Sequence, residues 1–159
     1  MKTIKSKSAF SMLTAIIVIL LMGSVSLYVL NISANIVKST TIQYQREQAM
    51  LYAKSFTEYA IMAITANDRQ NTNCLNDIDT TIGDVNNGGY NINVRIAYIG
   101  ANSEISNCSN TRKLSSSVTT TATPLNVIID TYVRYKDPDH PDISNAPWIT
   151  YHRRTLQKI

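Results

Sequence analysis

The stretch FSMLTAIIVILLMGSVSLYVL at positions 10–30 decides the architecture of this chain of 159 residues. It contains no charged side chain, and the first charge after it is Lys38. An α-helix needs about 20 mainly apolar residues to cross the hydrocarbon core of a bilayer. The twelve Leu, Ile, Val and Phe residues in the stretch favour insertion by roughly 4 to 7 kcal/mol on the membrane-insertion scale. The stretch is therefore predicted to be a transmembrane helix.

The positive charge of the chain is concentrated ahead of this stretch. The formal net charge is +4, but three of the fifteen basic residues are Lys2, Lys5 and Lys7. From position 10 onward, twelve basic side chains face eleven acidic ones. Lysines before an apolar span hold that end in the cytoplasm and send the remainder across the membrane. The basic leader, 1–9, thus predicts an exported C-terminal part. The small charge of that part argues against nucleic acid as a partner.

The helix is expected to continue beyond the membrane. No Pro or Gly lies between Ser24 and Ile82, and an amphipathic stripe at mainly 3- or 4-residue spacing follows the apolar stretch. Asn67 can end the helix in a left-handed cap. The stripe comprises Ile42, Ala49, Tyr52, Ala53, Phe56, Tyr59, Ala60 and Ala63. The predicted helix has a transmembrane half at 10–37 and an amphipathic half at 38–66.

The remaining residues, 67–159, are predicted to form an exported β-rich head. In YNINVRIAYI at 90–99 apolar and polar side chains alternate, which predicts a half-buried strand. The segments 126–135 and 148–157 are rich in β-branched and aromatic residues and are predicted to be two further strands. The segment 67–89 is dense in Asn, Asp, Thr and Gly, which favour turns, and is predicted to be a surface loop.

Two further segments complete the predicted head. The Ser/Thr-rich segment 114–123 is expected to be a fourth strand, with a glycosylated or mobile loop as the alternative. The segment 137–147 carries three prolines and is predicted to be a loop, because proline cannot donate to a sheet ladder. The predicted fold class is α+β, with a long N-terminal membrane-spanning helix packed on a small antiparallel sheet of three or four strands.

Both cysteines, Cys74 and Cys108, lie on the exported side of the span. An oxidising periplasm favours a disulfide between them. Closing a loop of about 35 residues stabilises a small domain by roughly 4 kcal/mol in the chain-entropy model. Two unpaired buried thiols are the alternative.

The junction before the apolar stretch, KSKSAFSMLT at 5–14, differs from an ordinary secretory signal. Such a signal carries its small-residue cleavage site after an apolar core of about 7 to 15 residues. Here the small residue, Ala9, precedes the apolar run. Candidate sites further along lie inside the predicted helix or fit poorly.

This arrangement resembles the type IV pilin and pseudopilin family. Members have a short basic leader, a small residue, then Phe and a long apolar helix that leads to a β-sheet head. The resemblance implies that a prepilin peptidase cuts between Ala9 and Phe10 and methylates the new amine of Phe10. It also implies a place in the bacterial inner membrane, a head in the periplasm or on an extracellular filament, and other pilin-like subunits as partners through the helix.

The sequence departs from the family pattern at two positions. Members usually have Gly before the cut, where this chain has Ala9. Major pilins carry a glutamate four residues after the mature N-terminal Phe, where this chain has Thr14. That carboxylate is thought to pair with the N-terminal amine of a neighbouring subunit. Members that lack it are mostly minor or tip subunits, so the resemblance implies a minor subunit.

No catalytic constellation is apparent in the sequence, and no cofactor or metal is expected. His140 lies among aspartates in the proline-rich loop, which favours a solvated acidic loop over a metal site. Arg153 and Arg154 favour a charged edge strand over a nucleic-acid contact. The prediction is a structural filament subunit and not an enzyme. The main alternative is a bitopic protein with an uncleaved signal anchor and a periplasmic binding head, and an exported hydrolase is a third class.

Overall fold

The computed structural model describes residues 8–69, 71–118 and 125–159, with side chains from position 12 onward. The chain divides between Gln43 and Tyr44 into two compact units. One continuous helix, α1 (Ser8–Ala66), contributes to both. The helix predicted over 10–66 is confirmed, and it begins two residues earlier, inside the predicted leader.

The second unit contains a small sheet. Its main path runs β1-β2-β4-β5 with antiparallel pairing throughout. The short β3 pairs in parallel with the C-terminal part of β2. The strands are β1 (Asp77–Ile82), β2 (Tyr90–Gly100), β3 (Lys113–Ser115), β4 (Leu125–Lys136) and β5 (Trp148–Lys158), joined by a 3-10 turn (Val85–Asn87) and a short helix, α2 (Asn102–Ile105). The predicted α+β class is confirmed, as are the three long strands.

One loop prediction was wrong, and one strand prediction is only partly tested. The segment 67–89, predicted to be a loop, contains β1 and the 3-10 turn. The turn between β1 and β2 requires glycine, since Gly83 and Gly88 have positive φ angles of 72° and 82°. At 114–123 the structure has only the end of the three-residue β3 and an isolated bridge at Ser117, and residues 119–124 lie outside the described part of the chain.

The core forms where α1 packs on one face of the sheet. Alternate residues of β2 and β4 are buried on that face, from Tyr90 to Tyr98 and from Leu125 to Tyr135. On α1 the buried stripe comprises Gln45, Ala49, Ala53, Thr57, Ala60 and Ile64. The centre of this stripe has small side chains.

The predicted helix stripe was only partly right. Ala49, Ala53 and Ala60 are fully buried, but Ile42 and Tyr59 are 42% and 52% exposed. The prediction followed apolar side chains. The buried stripe also includes Thr57 because its hydroxyl has hydrogen-bond partners in the interface.

Candidate functional site

The first unit presents an uncovered apolar helix surface. Every side chain of 12–40 is exposed, and Met12, the most exposed of the large apolar residues there, reaches 73%. Among the described residues, one helix is long and apolar enough to cross a membrane, by length and composition. Large contiguous apolar surfaces of this kind belong in a bilayer or an interface. The chain therefore carries a candidate single-pass membrane anchor near its N-terminus.

The predicted processing residues lie at the start of this helix. The backbone of Ala9 and Phe10 is helical and belongs to α1, while their side chains lie outside the described part. Thr14 is one turn further along the same helix. Cleavage at Ala9 and methylation at Phe10 remain predictions.

The two cysteines are joined in the second unit. Cys74 and Cys108 form a disulfide with their Cα atoms 4.7 Å apart, and both residues are 5% exposed. The bond ties the segment after α1 to the turn that follows α2. A hydrogen bond joins the same two segments, since the Asn107 side chain donates to the Arg69 backbone oxygen at 3.2 Å.

Two buried tyrosines of β2 also donate hydrogen bonds to backbone carbonyls outside the sheet. Tyr98 donates to the Leu75 carbonyl at 2.5 Å, and the Tyr90 hydroxyl donates to the Gln45 carbonyl at 3.4 Å. Burial raises the pKa of each hydroxyl to about 12, since the charged phenolate is disfavoured away from water. Both side chains therefore stay neutral donors over the physiological range.

The opposite face of the sheet carries charged pairs. Arg95 donates to Asp79 at 2.6 Å and lies 3.5 Å from Asp77. The hydrogen bond from Arg95 lowers the pKa of Asp79. These groups are partly exposed, so each pair contributes little to stability.

A second charged cluster lies further along this face. Arg154 donates to Asp130 through Nε at 2.7 Å and through a terminal nitrogen at 2.9 Å. His152 lies 2.6 Å from the same carboxylate and stacks on Tyr132 with ring centroids 4.4 Å apart. The Arg154 hydrogen bonds, followed by that of His152, lower the pKa of Asp130. The hydrogen bonds of Arg154 to Asp130 thus lie within the sheet.

His140 lies in the β4–β5 loop, as the sequence places it. Its Nδ1 is 2.7 Å from the Asp142 carbonyl oxygen and 3.1 Å from the Asp142 backbone nitrogen. The Asp142 carboxylate accepts hydrogen bonds from Ser144 and Asn145. Over the part of the chain that the structure describes, no group of three or more His, Cys, Asp or Glu is arranged to hold a metal ion.

A groove of about 490 Å³ lies between α1 and β1. Its lining comprises Ser55, Phe56, Tyr59, Ile78 and Thr80. The Phe56 and Tyr59 rings meet edge to face with centroids 6.2 Å apart. Sequence reasoning missed this groove because it depends on β1, which was predicted to be loop. The alternation of polar and β-branched residues in DIDTTI was the available signal.

Comparison with known proteins does not place the chain in a family. No protein-family model, no curated protein and no solved structure matches it. The described features define a coarser class, namely a chain with one candidate membrane helix that continues into the core of a small disulfide-linked α+β head.

Proposed function

We propose that this chain is a minor type IV pilin-like or pseudopilin subunit, a structural component of a pilus or of a type II secretion-type filament. One observation carries the proposal: a single helix is apolar and exposed in its first part and packs on a small sheet in its second. The basic leader with its small residue before the apolar run supports the same class.

In this proposal the two parts of α1 have different tasks. The exposed apolar part holds the unassembled subunit in the inner membrane and packs against the helices of neighbouring subunits in the filament. The part from Tyr44 onward organises the head in the periplasm or on the extracellular filament. A disulfide suits that location, because disulfides persist in oxidising compartments and are rare in the cytosol.

The test is the N-terminus of the mature protein. Intact-mass measurement on membrane-extracted protein from cells that contain prepilin peptidase should show loss of residues 1–9, with one methyl group added to Phe10. The variant Ala9→Leu, which replaces the small residue at the cut, should keep the leader. Retention of the lysine leader by the unmodified chain in such cells contradicts the proposal.

The second candidate is a bitopic protein with an uncleaved anchor and a periplasmic binding head. The groove beside β1 favours it, because a partly apolar cleft of about 490 Å³ falls within the size range of ligand sites. The same mass measurement separates the two candidates, since this one keeps its leader.

A further inference from the structure

The outer edge of β5 is long and regular. β5 pairs with β4 through eleven consecutive residues, from Lys136↔Trp148 to Asn126↔Lys158, without a register shift. Over the described residues, its other edge pairs with no strand. Proteins usually shorten, bulge or interrupt such an edge with proline. β5 has no bulge and no proline, so its outer backbone groups can accept another strand.

Arg153 lies on this edge and faces the helix side of the sheet. It is directly opposite Thr131, whose hydroxyl contacts Thr57 on α1. The residue is half-buried, and its Nε is inaccessible to water without a hydrogen-bond partner among the described residues. Leaving a buried N–H donor unpaired costs free energy that a suitable acceptor would recover. The Arg153 guanidinium is therefore available as a donor to an acceptor that approaches this edge.

The charges of β5 indicate what that partner carries. The strand WITYHRRTLQK has three Lys and Arg residues, one His and no acidic residue. Arg154 and His152 share Asp130 on the far face of the sheet. No side-chain partner of Arg153 or Lys158 is found within 8–69, 71–118 and 125–159. A carboxylate on the helix side of an added strand can reach the guanidinium of Arg153 and form a charge-assisted hydrogen bond.

We propose that the open edge of β5 docks an extended strand of another filament subunit, one that places a carboxylate against Arg153. Main-chain hydrogen bonds to β5 supply most of the affinity in this mode, and the carboxylate supplies the specificity. That the partner belongs to the same filament rests on the proposed function. The strand docking itself does not, and it is tested on the isolated chain.

The competing interpretation is that Arg153 only protects the edge. An inward-pointing charge on an edge strand discourages pairing with other chains. The two interpretations differ in their response to an acidic strand. A protective charge repels any strand that must bury it, whereas a docking residue favours the strand that carries the carboxylate.

The experiment uses the full chain in non-ionic detergent and two ten-residue peptides, (Thr-Glu)5 and (Thr-Gln)5, at physiological salt. Either peptide, bound as a strand, presents alternate side chains to one face of the sheet. Trp148, the only tryptophan, lies at the start of β5 and is 48% exposed, so its fluorescence reports binding. We expect (Thr-Glu)5 to bind at least about tenfold more tightly than (Thr-Gln)5. Binding of (Thr-Glu)5 should also slow hydrogen exchange of the β5 backbone amides.

Matched variants assign the preference to one residue. Arg153→Gln should remove the preference for (Thr-Glu)5, and Arg153→Lys, which keeps the charge, should retain part of it. Arg134→Gln makes the same charge change on the opposite face of β4, where Arg134 is exposed and contacts Asn93, and should leave the preference intact.

Three results overturn the inference. The first is no binding of either peptide, and the second is equal binding of both. The third is an equal loss of the preference for (Thr-Glu)5 in Arg153→Gln and Arg134→Gln, which would indicate unspecific charge attraction. A strand that docks here while the mature chain keeps its leader would uphold the docking site and reject the filament role.

Discussion

Thr131 of β4 donates a hydrogen bond to Thr57 of α1 across 3.0 Å, and both residues are buried. The direction follows from the second contact of Thr57, whose hydroxyl donates to the Ala53 carbonyl at 2.7 Å. With its hydrogen committed there, Thr57 acts as the acceptor for Thr131. The helix and the sheet are therefore joined by a polar contact within an apolar interface.

The two threonines should tolerate valine differently. Thr57→Val leaves the buried Thr131 hydroxyl without its acceptor and should lower the free energy of unfolding by about 1 to 3 kcal/mol. Thr131→Val leaves Thr57 with its bond to Ala53 and should cost less. Denaturant unfolding of each variant in detergent, followed by Trp148 fluorescence, measures both changes.

The double variant supplies the control for this pair. Thr57→Val/Thr131→Val removes both polar groups, so its loss should be smaller than the sum of the single losses. Strict additivity would show that the hydroxyls do not interact.

The disulfide should be present in protein purified without reductant. Non-reducing peptide mapping should recover Cys74 and Cys108 in one linked fragment, because the structure bonds them in the head. Replacing both by alanine should lower the free energy of unfolding by about 2 to 5 kcal/mol, the range found when a native disulfide is removed from a small secreted domain. Free alkylation of both thiols in the native protein would contradict this prediction.

Alkaline pH should destabilise the head through its buried tyrosines. The folded pKa of Tyr98 is raised from 10.0 to about 12, so above pH 10 the unfolded chain loses its proton while the folded chain retains it. The contribution of Tyr98 to the free energy of unfolding is fully present below pH 10 and is lost as the pH rises towards 12. Urea unfolding midpoints from pH 8 to 12 should fall over that interval.

Tyr98→Phe tests the assignment. The variant should be less stable at pH 8, because the Leu75 carbonyl loses its donor, yet its stability should fall less steeply above pH 10. Tyr59→Phe, at a position 52% exposed, is the matched control. Its stability should fall with pH as steeply as that of the unmodified chain. An unchanged slope in Tyr98→Phe would exclude Tyr98 as the source.

Under the proposed function, Thr14 predicts how abundant this chain is in the filament. A hydroxyl cannot form the ion pair with a neighbour's N-terminal amine that a glutamate forms, and in the low dielectric of a membrane that attraction is strong. We therefore expect this chain to be much scarcer than a Glu-bearing subunit in the same sheared filaments. Thr14→Glu should raise its share several-fold. Quantitative mass spectrometry decides this, and a finding that the unmodified chain is the most abundant subunit rejects the minor role.

The regular elements could be predicted because their patterns are internal to each segment. The helix was placed within two residues of α1, and the strand predicted at 126–135 lies one residue inside each end of β4. β1 was missed because its outward residues, Asp77 and Asp79, favour turns when considered alone. Arg95 makes them acceptable in a strand, and that neighbour is created only by the pairing of β1 with β2.

The surfaces of the head were less accessible to prediction. The sequence identified Arg153 as part of a charged edge, but its orientation depends on the β4–β5 register, which places it opposite Thr131. The groove beside β1 likewise requires the position of a strand that was predicted to be loop. Such surfaces are made by residues far apart in sequence, whereas membrane helices are defined by a local run.

The disulfide also determines how the head responds to mechanical force. α1 precedes Cys74 in the sequence, and β5 follows Cys108. When force is applied between α1 and β5, the disulfide bond therefore bears the tension, and the segment between the two cysteines does not. The cysteines are 34 positions apart, and the bypassed segment contains β1 and β2. Fully extended, it would add about 110 Å of chain. The oxidised head can therefore be stretched without releasing that length, and reduction makes it extensible.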